Sequence, residues 1–234
     1  MKKEMLWSKF ESKFHSSWHN LIKPFIEGEE CDAIYATLKA KAQEGVKIAP
    51  TAHNTFKAFT VPLDSIKVVI IGSRPFDGFI DGSPVANGYY LDCSNIGKVS
   101  YELKNFYRGI EIELYNGLKL DYKDDIYSLK FLRDQGVLFL TTAMTVGHNE
   151  DHDFLWFPFT HYVMKYIIDK LDCPILLLGD VAIPYANFIS DDRRVFRAPE
   201  PKGVISEWDT QGVFQKIDNQ LEEPIMWLNI DCPF

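Results

Sequence analysis

Ile66, Val68, Val69, Ile70 and Ile71 form a short, mostly β-branched apolar run that Gly72 closes. A strand buried on both faces of a parallel sheet reads this way, and it obliges the chain to supply covering helices and parallel neighbours. Gly72, Pro75, Asp77, Gly78, Asp81, Gly82, Pro84, Asn87 and Gly88 make the following segment dense in turn formers. Loops leaving the carboxyl ends of parallel strands are where ligand sites of α/β proteins lie. An ordinary surface connection is the alternative, and the length and glycine density here favour a site.

The rest of the chain fits that frame. Trp7, Phe10, Phe14, Trp18, Leu21 and Ile22 recur at helical spacing and predict a core-facing helix ending near Pro24. A second helix is expected from an Asp32 cap to Gly45, and a short apolar one around Phe56 and Phe59. Further helices are expected at about 97–116, 127–133, 159–171 and 212–221. Buried strands are expected at 67–71, 137–141, 175–178 and 195–198. This alternation predicts one three-layer α/β domain over residues 1–234, with a central four-stranded, mainly parallel sheet.

The 234 residues are 46% hydrophobic, enough for one core. No stretch approaches the roughly 18 apolar residues of a membrane span, and the start has no uninterrupted apolar run of a signal peptide. An intracellular protein, cytoplasmic or nucleoid-associated, is expected, with no membrane partner. Cys31, Cys93, Cys173 and Cys232 are far apart, which suggests reduced thiols. The net charge of −8 lowers the expectation of non-specific phosphate binding and suits a protein partner; DNA binding would need a local basic rim.

Five segments, in order, resemble the family 1 uracil-DNA glycosylases. G-V-K-I-A-P-T-A-H-N-T-F-K-A-F is similar to the stretch before that family's first strand. I-K-V-V-I-I-G-S-R-P-F-D-G resembles its V-K-V-V-I-L-G-Q-D-P-Y-H-G, and D-Q-G-V-L-F-L-T-T-A-M-T-V its Q-G-V-L-L-L-N-T-V-L-T-V. L-L-L-G-D-V-A stands for L-L-W-G-S-x-A, and R-A-P-E-P-K-G-V-I-S for A-P-H-P-S-P-L-S. The resemblance implies the family's fold, DNA as partner, base flipping and no cofactor.

It also implies that the chemistry has been exchanged. Arg74 falls where the family's water-handling Asp stands, and Ser73 where its Gln precedes it. Phe76 takes the place of the Tyr that walls off the pyrimidine 5-position, and Asp77 that of the next His. Leu91 replaces the Phe that stacks on the base, Thr141 the Asn that reads the uracil edge, and Glu200 the His that stabilises the departing base anion. Ser100, Lys202 and Val204 fall on the DNA-facing loops, Val204 near the family's Leu wedge.

Cleavage by the family's route needs charge complementary to a cationic sugar and an anionic base. Arg74 has the wrong sign for the first and cannot serve as a base. Glu200 has the wrong sign for the second unless it is protonated and donates. Ordinary uracil excision is therefore not expected. Two readings remain open. One is a glycosylase retuned to an enlarged, 5-modified pyrimidine, with Asp77 or Asp81 as a relocated carboxylate, although both also suit turn capping. The other is a catalytically inactive DNA- or protein-binding module.

His148, Glu150, Asp151 and His152 bring metal-capable groups together, but in a strand-to-helix turn rather than on a helix face, so no metal site is expected. Arg193 and Arg194 could contact phosphate or form a solvated charge run.

Overall fold

The computed structural model describes residues 3–123, 126–204 and 208–230, with side chains from Trp7 onward. Four parallel strands form the central sheet: β1 (Val68–Gly72), β2 (Val137–Thr141), β3 (Ile175–Leu178) and β4 (Val195–Ala198). Their order is β2-β1-β3-β4. The register runs from Val68 opposite Val137 to Gly72 opposite Thr141, and from Val69 opposite Ile175 to Ile71 opposite Leu177. Val68, Val69, Ile70 and Ile71 are wholly buried, as are Ile175 to Leu178. The unbroken apolar runs are thus the two-sided burial of interior parallel strands.

Helices cover both faces. α1 (Lys3–Phe10), α2 (His19–Ile26), α3 (Glu29–Gln43) and α6 (Asp153–Tyr166) form one group. α4 (Tyr101–Leu114) packs against α7 (Val213–Asp218), and a single turn, α5 (Lys130–Arg133), precedes β2. Phe56, Phe59 and Phe159 meet in the first layer at centroid separations of 5.4–6.3 Å. Phe106 of α4 bridges Phe139 of β2 and Phe214 of α7.

Several expectations are corrected. The aromatic stripe at the start is not one helix. Phe14 is extended, and His15 Nδ1 accepts from Ser17 N to cap a new 3-10 turn. Pro24 lies inside α2 rather than ending it. α3 starts at Glu29 after Gly28, so Asp32 sits in its first turn, where Glu29, Glu30 and Asp32 all complement the helix dipole. Phe59 lies in a 3-10 helix, Lys57–Thr60. α4 is shorter than predicted because Ser100 caps it, its Oγ accepting from Leu103 N at 3.0 Å. That hydroxyl therefore has a structural partner.

Arg194 is buried and donates to the carbonyls of Ile168, Asp169, Leu171 and Cys173, tying down the turn after α6. It is not available to phosphate. Arg193 is exposed and makes a fork of two 2.9 Å bonds to Asp191. Cys31, Cys93 and Cys173 are free and buried; Cys232 lies outside the described residues. Among the described residues no helix is long and apolar enough to cross a membrane.

Candidate active site at the strand ends

A cavity of about 150 Å³ opens beyond the carboxyl ends of β1 and β4, lined by Ser73, Arg74, Phe76, Asp77, Tyr90, Leu91, Glu200 and Lys202 among others. Two glycines pack against lining residues. A Cβ on Gly72 would lie 1.9 Å from Tyr90 Cζ, so only glycine lets the Tyr90 ring close over the end of β1. Gly179, after β3, has φ +83°, and a Cβ there would stand 2.9 Å from Glu200 Cβ.

Glu200 is the best-connected polar group. Its Oε1 accepts from Ser73 Oγ and, at 3.4 Å, from the Tyr90 hydroxyl. Its Oε2 pairs with Lys202 Nζ at 2.8 Å. Burial and the adjacent Glu200 carboxylate push the Tyr90 phenol well above its usual range, so it stays a donor. All three neighbours are placed to donate to Glu200.

Arg74 turns to the start of α6. Its Nη1 pairs with Asp151 and stands 3.8 Å from Asp153 Oδ2. Asp153 Oδ1 is buried and accepts no hydrogen bond from a described residue. Burial and the neighbouring Asp151 raise the Asp153 carboxyl to about 6, Glu200 adding to the effect and Arg74 opposing it. Sequence patterning alone does not mark Asp153; its place as the first residue of a helix, two after Asp151, is the available signal.

The loop carrying Tyr90 and Leu91 hangs on the buried Asp92. Asp92 accepts from Asn87 Nδ2 at 2.6 Å, Ser94 N at 2.9 Å, Leu129 N at 3.1 Å and the Arg133 guanidinium. Burial would raise its carboxyl, but Arg133 and these donors outweigh it and hold it below the usual range. Arg133 also lies 4.0 Å from the centroid of the Tyr89 ring. Leu91 is buried at φ +65°, a left-handed conformation costly for a γ-branched residue.

Not every candidate reaches the cavity. Thr141 faces Gly72 across the sheet, but its hydroxyl turns back to Ala143 O at 2.7 Å and it does not line the space. Asp81 and Gly82, with φ +50° and +80°, form the tip of a hairpin joining Phe79–Ile80 to Ser83–Pro84. That is the Asp-Gly turn a two-residue hairpin demands, and it holds Asp81 off the cavity lining. Asp77 lines the cavity and is exposed; Phe76 keeps its ring on the wall. Val204 is 59% exposed on the loop after Lys202. Ile205 to Glu207 lie outside the described residues.

The metal-capable cluster is dispersed among other partners. Glu150 pairs with Lys41, His152 Nδ1 lies 3.0 Å from Thr145 Oγ1, and His148 packs edge-on against Phe79. Among the described residues no three such groups converge.

No protein-family description matches the chain. Individual relatives do. A uracil-DNA glycosylase of Streptococcus pyogenes serotype M4 is 31% identical over 204 residues, 82% of this chain and 86% of the relative. One from Aliarcobacter butzleri is 30% identical over 76% of this chain and 84% of its own length. One from Streptococcus agalactiae serotype III is 27% identical over 92% of this chain and 99% of the relative. The crystal structure of mimivirus uracil-DNA glycosylase superposes with a TM-score of 0.78 at 21% identity, covering 93% of this chain and 88% of that one. Relatives at 30% and 31% identity cover three quarters or more of this chain, and the chain belongs to the uracil-DNA glycosylase family.

Proposed function

We propose that this protein is a DNA glycosylase that takes a flipped, 5-modified pyrimidine and releases it by N-glycosidic hydrolysis, and that it is not an ordinary uracil glycosylase. The observation that carries this reading is the polar make-up of the strand-end cavity: Ser73, Arg74, Asp77, Glu200 and Lys202 share a space of about 150 Å³ with Phe76, Tyr90 and Leu91. Its size is below that of drug-sized sites, about 300 Å³ and more, and on the scale of one base. Family membership supports DNA as the partner, and chemistry on a base requires its removal from the stack.

The roles follow from charge and reach. Asp77 is exposed at the cavity wall and supplies the carboxylate that orients water. Arg74, half exposed, meets a phosphate or a polar substituent on the base. Leu91 in place of a stacking ring leaves space, whereas Phe76 argues for a substituent that passes beside rather than through the wall. Glu200 holds an acceptor toward the base, the wrong sign for a departing uracil anion.

The test is incubation with duplexes carrying uracil, 5-hydroxymethyl pyrimidines or glycosylated pyrimidines, followed by alkali to cleave abasic sites. Strand breaks on a modified substrate, lost in Asp77→Asn, are expected. Robust uracil release abolished by a cavity substitution would refute the exchange of chemistry. No breaks and no preferential binding to modified DNA would leave the inactive binding module, the reading that the net charge of −8 favours.

A further inference from the structure

Glu200 is held on three sides and open on a fourth. Ser73 Oγ and Tyr90 Oη occupy Oε1, Lys202 Nζ occupies one side of Oε2, and the side chain retains 13% exposure. An ionised carboxylate offers about four acceptor positions, so one on Oε2 is unclaimed. Gly179 packs against the protein side of Glu200, where a Cβ would crowd Oε2 at 3.1 Å, and Glu200 itself lines the cavity. The group therefore presents an acceptor to whatever enters the cavity.

The edges of the pyrimidines differ in what they offer such a group. Uracil and thymine place their one ring N–H between two carbonyl oxygens, and bringing a carboxylate to that donor sets oxygen lone pairs against it. A cytosine projects its amine beyond the ring, and a carboxylate accepting from that amine is an established direct-readout pairing. We propose that the open acceptor position of Glu200 selects a base bearing an exocyclic amine, so that the modified pyrimidine taken by this cavity is of the cytosine type. The inference rests on the function proposed above and narrows its substrate class. Ser73, Tyr90 and Lys202 act as positioning residues, since each holds Glu200 rather than the base.

Two duplexes decide the matter, one carrying 5-hydroxymethylcytosine and the other 5-hydroxymethyluracil, each opposite an abasic site so that neither must be unpaired. They share the 5-substituent and differ at position 4 of the ring. Anisotropy titrations are expected to show the cytosine form bound about tenfold more tightly, within the discrimination of a good base contact. In Glu200→Gln, whose amide both donates and accepts, the ratio should fall to within about threefold. Circular dichroism establishes that the variant is folded, and the wild-type ratio alone already fixes the sign. Equal binding of the two, each tighter than plain cytosine and uracil controls, would overturn the inference and leave the modified-pyrimidine reading standing. Preference for the uracil form would also overturn it. Failure to distinguish either from the controls would overturn both.

Discussion

Tyr90 occupies the space that a side chain on Gly72 would need, with its Cζ 1.9 Å from where a Cβ would lie. The ring caps the end of β1 and delivers its hydroxyl to Glu200. Gly72→Ala should therefore cost about 1–3 kcal/mol, the usual penalty of overpacking, measured by urea unfolding. Its cost should shrink in a Tyr90→Ala background, because the two residues compete for one volume. Equal costs in both backgrounds would show that the obstacle is elsewhere.

Asp92 and Arg133 form a pair in which the carboxylate is fully buried. Asp92→Asn should destabilise the fold by about 3–5 kcal/mol, since it leaves a guanidinium without its counter-charge. The Asp92 carboxyl is held low in the folded state, so its contribution is present above the ordinary carboxylate range and is lost as pH falls through the depressed value. Thermal unfolding between pH 7 and pH 3 should accordingly fall more steeply for the wild type than for Asp92→Asn; parallel curves would contradict this.

Asp153 titrates the other way. With its carboxyl raised to about 6 in the folded state from 3.8, the native protein holds this proton more tightly than the unfolded chain. Stability from this group is full below about pH 4 and declines as pH rises toward 6. Asp153→Asn should remove that slope and gain on the order of 1 kcal/mol at pH 7, after allowance for its partial exposure. A variant that loses stability at pH 7 would show that Arg74 depends on Asp153 more than on Asp151.

The two interior strands are legible because Val68–Ile71 and Ile175–Leu178 are apolar without interruption, the pattern that two-sided burial leaves, whereas the edge strand Val195–Ala198 carries Arg197. Helix ends were less legible. Ser100 could cap α4 and shorten it, but an earlier start at Gly97 was equally compatible with the periodicity. The N-terminal stripe misled because period alone does not register the extended Phe14. In the site, Ser73, Arg74 and Asp77 follow β1 directly, where the family resemblance puts them. What escaped was the meeting of Arg74 with Asp151 and Asp153, and of Tyr90 with Glu200, groups 77 and 110 residues apart in their hydrogen-bonded pairs. Such pairs are set by where two loops end in space, and neither composition nor spacing encodes that.

Arg74 is the group on which the DNA-binding part of the proposal can be tested without any cleavage. It is half exposed and paired with Asp151, itself half exposed, an arrangement of little net stability in solution. A phosphate can therefore compete for the guanidinium at small cost. If it does, Arg74→Ala should weaken binding to modified and unmodified duplexes alike. The slope of log affinity against log salt should then become shallower by about 0.9, the value for one phosphate contact. Asp151→Asn should have the opposite effect, tightening binding severalfold at low salt by freeing Arg74 and removing a repelling charge. An unchanged salt slope in Arg74→Ala, together with a loss confined to modified duplexes, would instead assign Arg74 to the substituent on the base. An unchanged slope with no loss on any duplex would leave Arg74 as a structural partner of α6 alone.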